Sequence, residues 1–402
     1  MRASHDHVLT SHAGSLPRPD ELIEAWAQAA GGAIDQDAFA ERLRAAVADV
    51  VRRQRDLGVD VPGDGEIGEP MAQRMNYGSW WRYSWSRLGG LDPGGPSLYE
   101  MEARRSSPGH VVLTSFGDRR DRIRFAAAYG DPETGIATGP RPPAPICIAP
   151  IHYAGRDAIK GDITNFKAAL QAAGVEEGFM TAVAPGSASR IGNSYYKTEE
   201  ELLYACADAM REEYKAILDA GFVLQLDDPA IAENWDMINP EPTVEEYKKF
   251  SMVRVEALNY AIRGLPQERI RFHLCWGSWH GPPVTDIPMR DIVDVMLAIN
   301  AQAYSFEAGN VRHEHEWKLW QDVKLPDDKL ILPGVVSHAT NVVEHPELIA
   351  ERILRFANLV GRERVIASTD CGLGGRIHPQ IAWAKLEALA QGAALANRQL
   401  WS

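Results

Sequence analysis

The chain has 402 residues, 45% hydrophobic and 24% charged, and its 42 basic against 55 acidic side chains leave a net charge of −13. Those proportions suit a folded globular protein and exclude a uniform phosphate-binding face, which needs a basic surface. No apolar run approaches the roughly 18 residues of a membrane helix, and the opening MRASHDHVLTSHAGSLPRP has no apolar signal core, so a cytoplasmic protein free of nucleic acid and membrane is expected.

Taken in order, short apolar runs alternate with amphipathic helices. Strand candidates are 7–12, 59–64, 145–151, 179–184, 222–227, 270–275, 303–307, 331–337 and 365–370. That is nine, one more than a closed eight-stranded barrel needs. A helix is predicted over 35–57 from Phe39, Leu43, Val47 and Val50, with Gly58 as its stop. Thr198 with Glu201, and Thr243 with Glu246, have capping-box spacing at two further helix starts. Pro346 opens another helix that Gly361 ends, and a last one runs over about 380–397. Strand–helix alternation along the chain predicts a parallel sheet. No G-x-G-x-x-G fingerprint follows the first strand, which disfavours a dinucleotide fold. The expected fold is a single (β/α)₈ TIM barrel over 1–402, with an insertion or lid at about 76–144.

A barrel of this kind places its site at the C-terminal ends of the strands. The residues there are Gly14-Ser15, Asp64-Gly65-Glu66, Asp227-Asp228-Pro229, His273-Leu274-Cys275, Glu307, His338 and Asp370-Cys371-Gly372. His273 and Cys275 are two apart on a strand, so they share a face. With Glu307 and Cys371 they offer one imidazole, one carboxylate and two thiolates, a set that suits tetrahedral Zn²⁺. Taken alone, H-x-C is a weak signal, more often a structural pair than a metal-binding one. The other two cysteines, Cys147 and Cys206, read as core.

Several stretches resemble the catalytic half of cobalamin-independent methionine synthase and its short single-barrel relatives. They are HAGSLPRP (12–19), DGEIGE (64–69), LQLDDPA (224–230), HLC (273–275), SFEAG (305–309), LPGVVSHATN (332–341) and STDCGLGGR (368–376), in the family's order. The resemblance implies zinc held by His273, Cys275, Glu307 and Cys371. It implies an amino-acid thiol gripped by Ser15, Glu66 and Asp227, and His338 as the proton donor to the leaving group. Zinc would deprotonate the substrate thiol and keep it nucleophilic. The partners would then be a small-molecule thiol and an alkyl donor, with a homodimer possible.

The chain also departs from the family. It has no room for the second barrel of the full-length enzyme. The loop TAVAPGSASR (181–190) has no aromatic residue where the folate-dependent enzyme stacks its pterin, and Asp228 stands where Glu is usual. The insertion brings Tyr77, Trp80, Trp81, Tyr83 and Trp85, either as a lid able to meet a methylated cation or as a packed cover. These differences bear on the donor, not the thiol. The expected activity is zinc-dependent S-methyl or S-alkyl transfer to a homocysteine-like thiol, with thiol addition to an epoxide as in epoxyalkane:coenzyme M transferases as the alternative. Two further readings are a TIM-barrel metal hydrolase using His5, His7, His273 and Asp370, and a metal-free enzyme related to uroporphyrinogen decarboxylase. A non-catalytic binding protein would have no use for four zinc ligands. His313 and His315 of VRHEHEW are expected on a solvated helix face. Arg376 is expected to meet a substrate anion or cap a loop, and Tyr195 and Tyr196 to pack.

Overall fold

A computed structural model describes residues 1–76, 79–136, 143–277 and 279–402. Its strands, in chain order, are β1 (Leu9–Thr10), β2 (Leu88–Asp92), β3 (Ile146–Tyr153), β4 (Phe179–Val183), β5 (Gly192–Asn193), β6 (Val223–Asp228), β7 (Ile270–Leu274), β8 (Ala303–Glu307), β9 (Leu330–Val336) and β10 (Ile366–Thr369). Seven of them form a curled parallel sheet in the order β1-β10-β9-β8-β7-β6-β4. The remaining gap is spanned by 59–63. There the Asp60 and Val61 amides donate to Thr10 O at 3.1 and 3.0 Å, and the Phe179 amide donates to Pro62 O at 3.0 Å. This eighth stave makes a single bridge, Gly63 to Phe179, because Pro62 has no N–H with which to extend a ladder. A Cβ on Gly63 would lie 2.7 Å from the Phe179 ring, so only glycine lets the two staves approach this closely.

The expected barrel is present, and the surplus strand is identified. Residues 145–151 belong to β3, which pairs antiparallel with β2 and parallel with β5 outside the barrel. The chain therefore runs outside the barrel sheet through β2 and β3 before it rejoins the barrel at β4.

The helices follow their sequence signals. Gln36–Leu57 is capped by Asp35 and stops at Gly58, whose φ of +89° is left-handed. Thr243 and Glu246 form a complete capping box. Thr198 accepts from the Glu201 amide, but Glu201 reaches the Lys197 amide in place of its cap. Pro346–Val360 and Pro379–Leu400 complete the outer ring. No helix among the described residues is long and apolar enough to cross a membrane. Cys147 and Cys206 are buried in the core.

The barrel interior is polar below the site. Arg271 is fully buried on β7 and donates to Gln225 Oε1 at 2.8 Å, Ser11 Oγ at 2.9 Å and His12 O at 2.9 Å. Its guanidinium lies 3.5 Å from the Phe179 ring centroid. Gln225 passes the network upward, donating to Asp227 Oδ1 at 2.7 Å. This buried layer holds the floor of the rim in one geometry, since every donor it spends has a partner.

Candidate active site

Adjacent strands bring the site together rung by rung. Asp227 on β6 registers with His273 on β7, and His273 with Ser305 on β8. The Ser305 hydroxyl lies 2.9 Å from His273 Nδ1, which fixes the ring and directs Nε2 upward. That Nε2 is buried and has no hydrogen-bond partner. Donor atoms of His273, Cys275 and Cys371 all lie within 4.8 Å of one another.

The two sulfurs are 3.7 Å apart. Two thiolates each roughly 2.3 Å from a tetrahedral centre would stand roughly 3.8 Å apart. An orphaned imidazole nitrogen beside two sulfurs at that spacing fits Zn²⁺. The ionisation of the pair agrees. The hydrogen bond from Cys275 holds Cys371 well below the usual thiol range, and that same bond together with burial pushes Cys275 well above it. Left to themselves, the two sulfurs share one proton; a dication lets both ionise. His273 is raised: burial works to lower it, and the Cys371 thiolate outweighs burial.

Glu307 stands in the next group of donors, with His338 and Asp370. Its Oε1 accepts from the Trp276 amide at 3.2 Å and its Oε2 from Asn310 at 2.8 Å. Asp370 is clamped by the Ala308 and Gly309 amides, both at 2.7 Å, and by Asn310 at 3.0 Å. The sequence places Glu307 among the metal ligands. In the structure it lies one step back, bonded to the backbone that follows Cys275. His338 is buried behind the rim with Nδ1 unpartnered, and burial pushes it down to about 4.

Ser15, Glu66 and Asp227 line one cavity with His273, Cys275 and Cys371, of about 1150 Å³ up to its open mouth. Arg18, which the sequence reading missed, holds this corner. It donates to Ser15 Oγ at 2.6 Å and Leu16 O at 2.8 Å, and it also reaches Glu66 O. Only its place in the fold reveals that role, since HAGSLPRP shows Arg18 as one surface-type residue between two prolines. The β10 loop closes against the same corner, the Leu373 and Gly374 amides donating to Ser15 O at 2.8 and 2.9 Å. Burial raises Asp227 to about 7 and raises Glu66 as well. Two buried carboxylates without a dedicated cation are suited to a substrate ammonium.

The aromatic cluster divides in two. Trp80 and Trp81 line the cavity mouth, their rings 5.0 Å apart. Tyr83 is buried against Glu213, and Trp85 packs on the hydrophobic core. Tyr77 lies outside the described residues. Arg119, Glu233 and Trp279 also face the cavity. Arg119 donates to Glu233 at 2.9 Å and Asp236 at 2.8 Å, with its guanidinium 4.0 Å from the Trp279 ring. No spacing in the sequence announces these loop residues. Arg376 lines the cavity too and donates to Asn76 O at 3.2 Å. Tyr196 packs, its hydroxyl accepting from the Ile151 amide at 3.0 Å, whereas Tyr195 is exposed.

Two expectations are corrected. His313 is buried, not solvated. It lies between Glu316 Oε2 at 2.8 Å and Asp286 Oδ2 at 3.4 Å, with its ring 4.3 Å from Trp276. Residues Glu314–Gln321 form a 3₁₀ run, and its three-residue period turns His313 and Glu316 inward together. His315 is exposed. The hydrolase reading needs His5 and His7 beside His273, and they lie ahead of β1 instead. His7 precedes β1 and pairs with Asp6 and Asp60 at 2.9 and 3.1 Å, at the opposite end of the barrel from Cys275.

Comparison with known proteins gives the chain's family and fold. Residues 144–394 match the family described as the cobalamin-independent synthase catalytic domain. A methionine synthase of Thermococcus kodakarensis is 23% identical over 97% of this chain and 94% of its own. A 2-hydroxypropyl-CoM lyase of Xanthobacter autotrophicus is also 23% identical, over 100% and 98%. Among solved structures, a B12-independent methionine synthase from Shewanella with selenomethionine superposes with a TM-score of 0.65 at 17% identity. That match covers 98% of this chain and 99% of the other.

Proposed function

Because the chain belongs to the family of the cobalamin-independent synthase catalytic domain, we propose that it is a zinc-dependent S-alkyltransferase acting on a homocysteine-like amino-acid thiol. The observation that carries this reading is the 3.7 Å sulfur pair beside the partnerless His273 Nε2. His273, Cys275 and Cys371 would hold the metal, with Glu307 or the substrate sulfur completing the set. Zinc there would supply Lewis acidity that turns a bound thiol into a thiolate at neutral pH.

The protein's own groups do the rest. Glu66 and Asp227 face the cavity and would pair with the substrate ammonium, orienting its sulfur toward Cys371. Ser15, held by Arg18, would bind the same head group. His338 is neutral at pH 7. It would take the proton released by the thiol and pass it to the atom that departs from the alkyl group. Trp80 and Trp81 stand where they would exclude water from the transfer. A cytoplasmic location, as the sequence leads one to expect, would go with this role.

A second reading keeps the thiol half and changes the donor to an epoxide. The largely aromatic far wall of the cavity, with Trp80, Trp81, Phe116 and Trp279, suits a small apolar electrophile.

Zinc analysis with X-ray absorption, without and with homocysteine, tests the proposal. About one zinc per chain that gains a sulfur neighbour with homocysteine supports it. No zinc, or a shell unchanged by every thiol tried, refutes it. Turnover with epoxypropane and a thiol, set against a methyl donor and a thiol, separates the two donors.

A further inference from the structure

Beyond Phe116, on the side away from the sulfur pair, lies a second cavity of about 1630 Å³ up to its mouth. Its apolar wall includes Leu98, Val112, Ile191, Leu203 and Met237. Much of that wall comes from residues 96–116, which precede the family-matched segment 144–394. The cavity thus lies where residues 96–116 meet the family-matched segment, which supplies Ile191, Leu203, Met237, Arg190 and Arg254.

One buried charge borders it. Arg190 lines the cavity with its side chain 3% exposed. Its Nη1 donates to Glu233 at 2.7 Å and Asn234 at 3.2 Å. Its Nε and Nη2 are buried without a hydrogen-bond partner. Those two nitrogens lie on the same edge of the guanidinium and form the side-on fork that fits a carboxylate. The chain uses this fork elsewhere. Arg156 holds Glu212 through Nε at 2.9 Å and Nη2 at 2.8 Å. Arg352 holds Glu314 through Nε at 3.2 Å and Nη2 at 3.0 Å. On Arg190 the fork is left without a carboxylate of the protein. An unsatisfied buried donor pair is costly to a fold, and an acceptor from outside the chain would satisfy it. Arg254, in the same wall, adds a second buried and unpartnered Nε.

We propose that this cavity is a binding site for a small, mostly apolar monocarboxylate, held through its carboxylate by the Nε and Nη2 of Arg190. Glu102, Glu199 and Glu200 line the cavity as exposed side chains, which disfavours ligands with further negative charge. The site does not depend on zinc or on thiol chemistry, so it stands or falls apart from the proposed transferase activity.

Titration calorimetry of the full chain with octanoate tests this, with octanol and octylamine as controls. About one octanoate per chain is expected, with octanol and octylamine weaker by roughly tenfold or more, the ratio expected for a charge-assisted pair. Arg190→Met should lose the preference for octanoate over octanol. Since Arg190 also supports Glu233, Val112→Trp is the second variant. It fills the cavity without touching the arginine and should abolish octanoate binding. Equal affinity for octanoate and octanol, octanoate binding that survives Val112→Trp, or no binding at all would overturn the proposal.

Discussion

Gly14 is packed so closely on Glu66 that a Cβ at position 14 would fall 2.4 Å from the Glu66 carboxylate oxygen Oε1. Gly14 also sits at φ +127°, and Glu66 itself at φ +55°, a region costly for a side-chain-bearing residue. The first loop and the Glu66 carboxylate are thus set against each other by the backbone. Gly14→Ala should cost about 1–3 kcal/mol of stability and displace Glu66 from the cavity. Denaturant unfolding reads the first effect and homocysteine affinity the second. A variant with unaltered homocysteine affinity would separate Glu66 from substrate binding.

Cys371 stands 3.7 Å from Cys275 and carries the thiolate of the pair. Cys371→Ser removes the charge that a dication needs and leaves a poor ligand in its place. Zinc content should fall from about one per chain to a small fraction, with turnover lost in step. Circular dichroism should be unchanged, since the buried interior is carried by Arg271 and its partners below. Full zinc retention in this variant would send the metal elsewhere.

Much of this site could be read before any fold was known. Ser15, Glu66, Asp227, His273, Cys275 and Cys371 all end barrel staves, and a parallel barrel collects strand ends by construction. Their spacing therefore carried three-dimensional information. The failures have equally physical causes. Residues 145–151 have the apolar character of a barrel strand, and only pairing with β2 shows them outside it. Residues 59–64 read as an ordinary strand, yet Pro62 reduces them to a bridge. The charges around His313 read as a solvated face, yet Glu316 turns inward with it and Asp286 meets it from another loop. Arg119, Arg190 and Glu233 come from loops 43 to 114 residues apart, and no local pattern links them.

His313 gives a pH signature. Burial lowers it, but Asp286 and Glu316 more than compensate and lift it from 6.5 to about 10. A group raised in the folded state stabilises fully below its unfolded value and loses that contribution as pH climbs through the folded value. The stabilisation is therefore whole below about pH 6.5 and fades toward pH 10, with a total on the order of a few kcal/mol. His313→Gln cannot carry the charge. Unfolding midpoints of the two proteins should differ most near pH 6 and converge toward pH 10. A difference that stays constant across that range would rule out a charged His313.

His338 lies behind the sulfur pair, and no metal-holding task in the structure falls to it alone. Burial places it at about 4, with the neighbouring Cys371 opposing that shift. In the proposed cycle it would start neutral and be free to accept the thiol proton. His338→Asn keeps a polar group of similar reach but cannot relay a proton. Zinc content and the sulfur neighbour gained with homocysteine should both be unchanged. Single-turnover alkyl transfer should slow by roughly 10²–10⁴, the usual worth of a positioned acid–base group. Because the free side chain titrates near 4, the wild-type rate should show no break assignable to His338 between pH 5.5 and 8. If the variant instead transfers at the wild-type rate, water or the substrate delivers the proton, and the buried imidazole serves only to pack against the Cys371 loop.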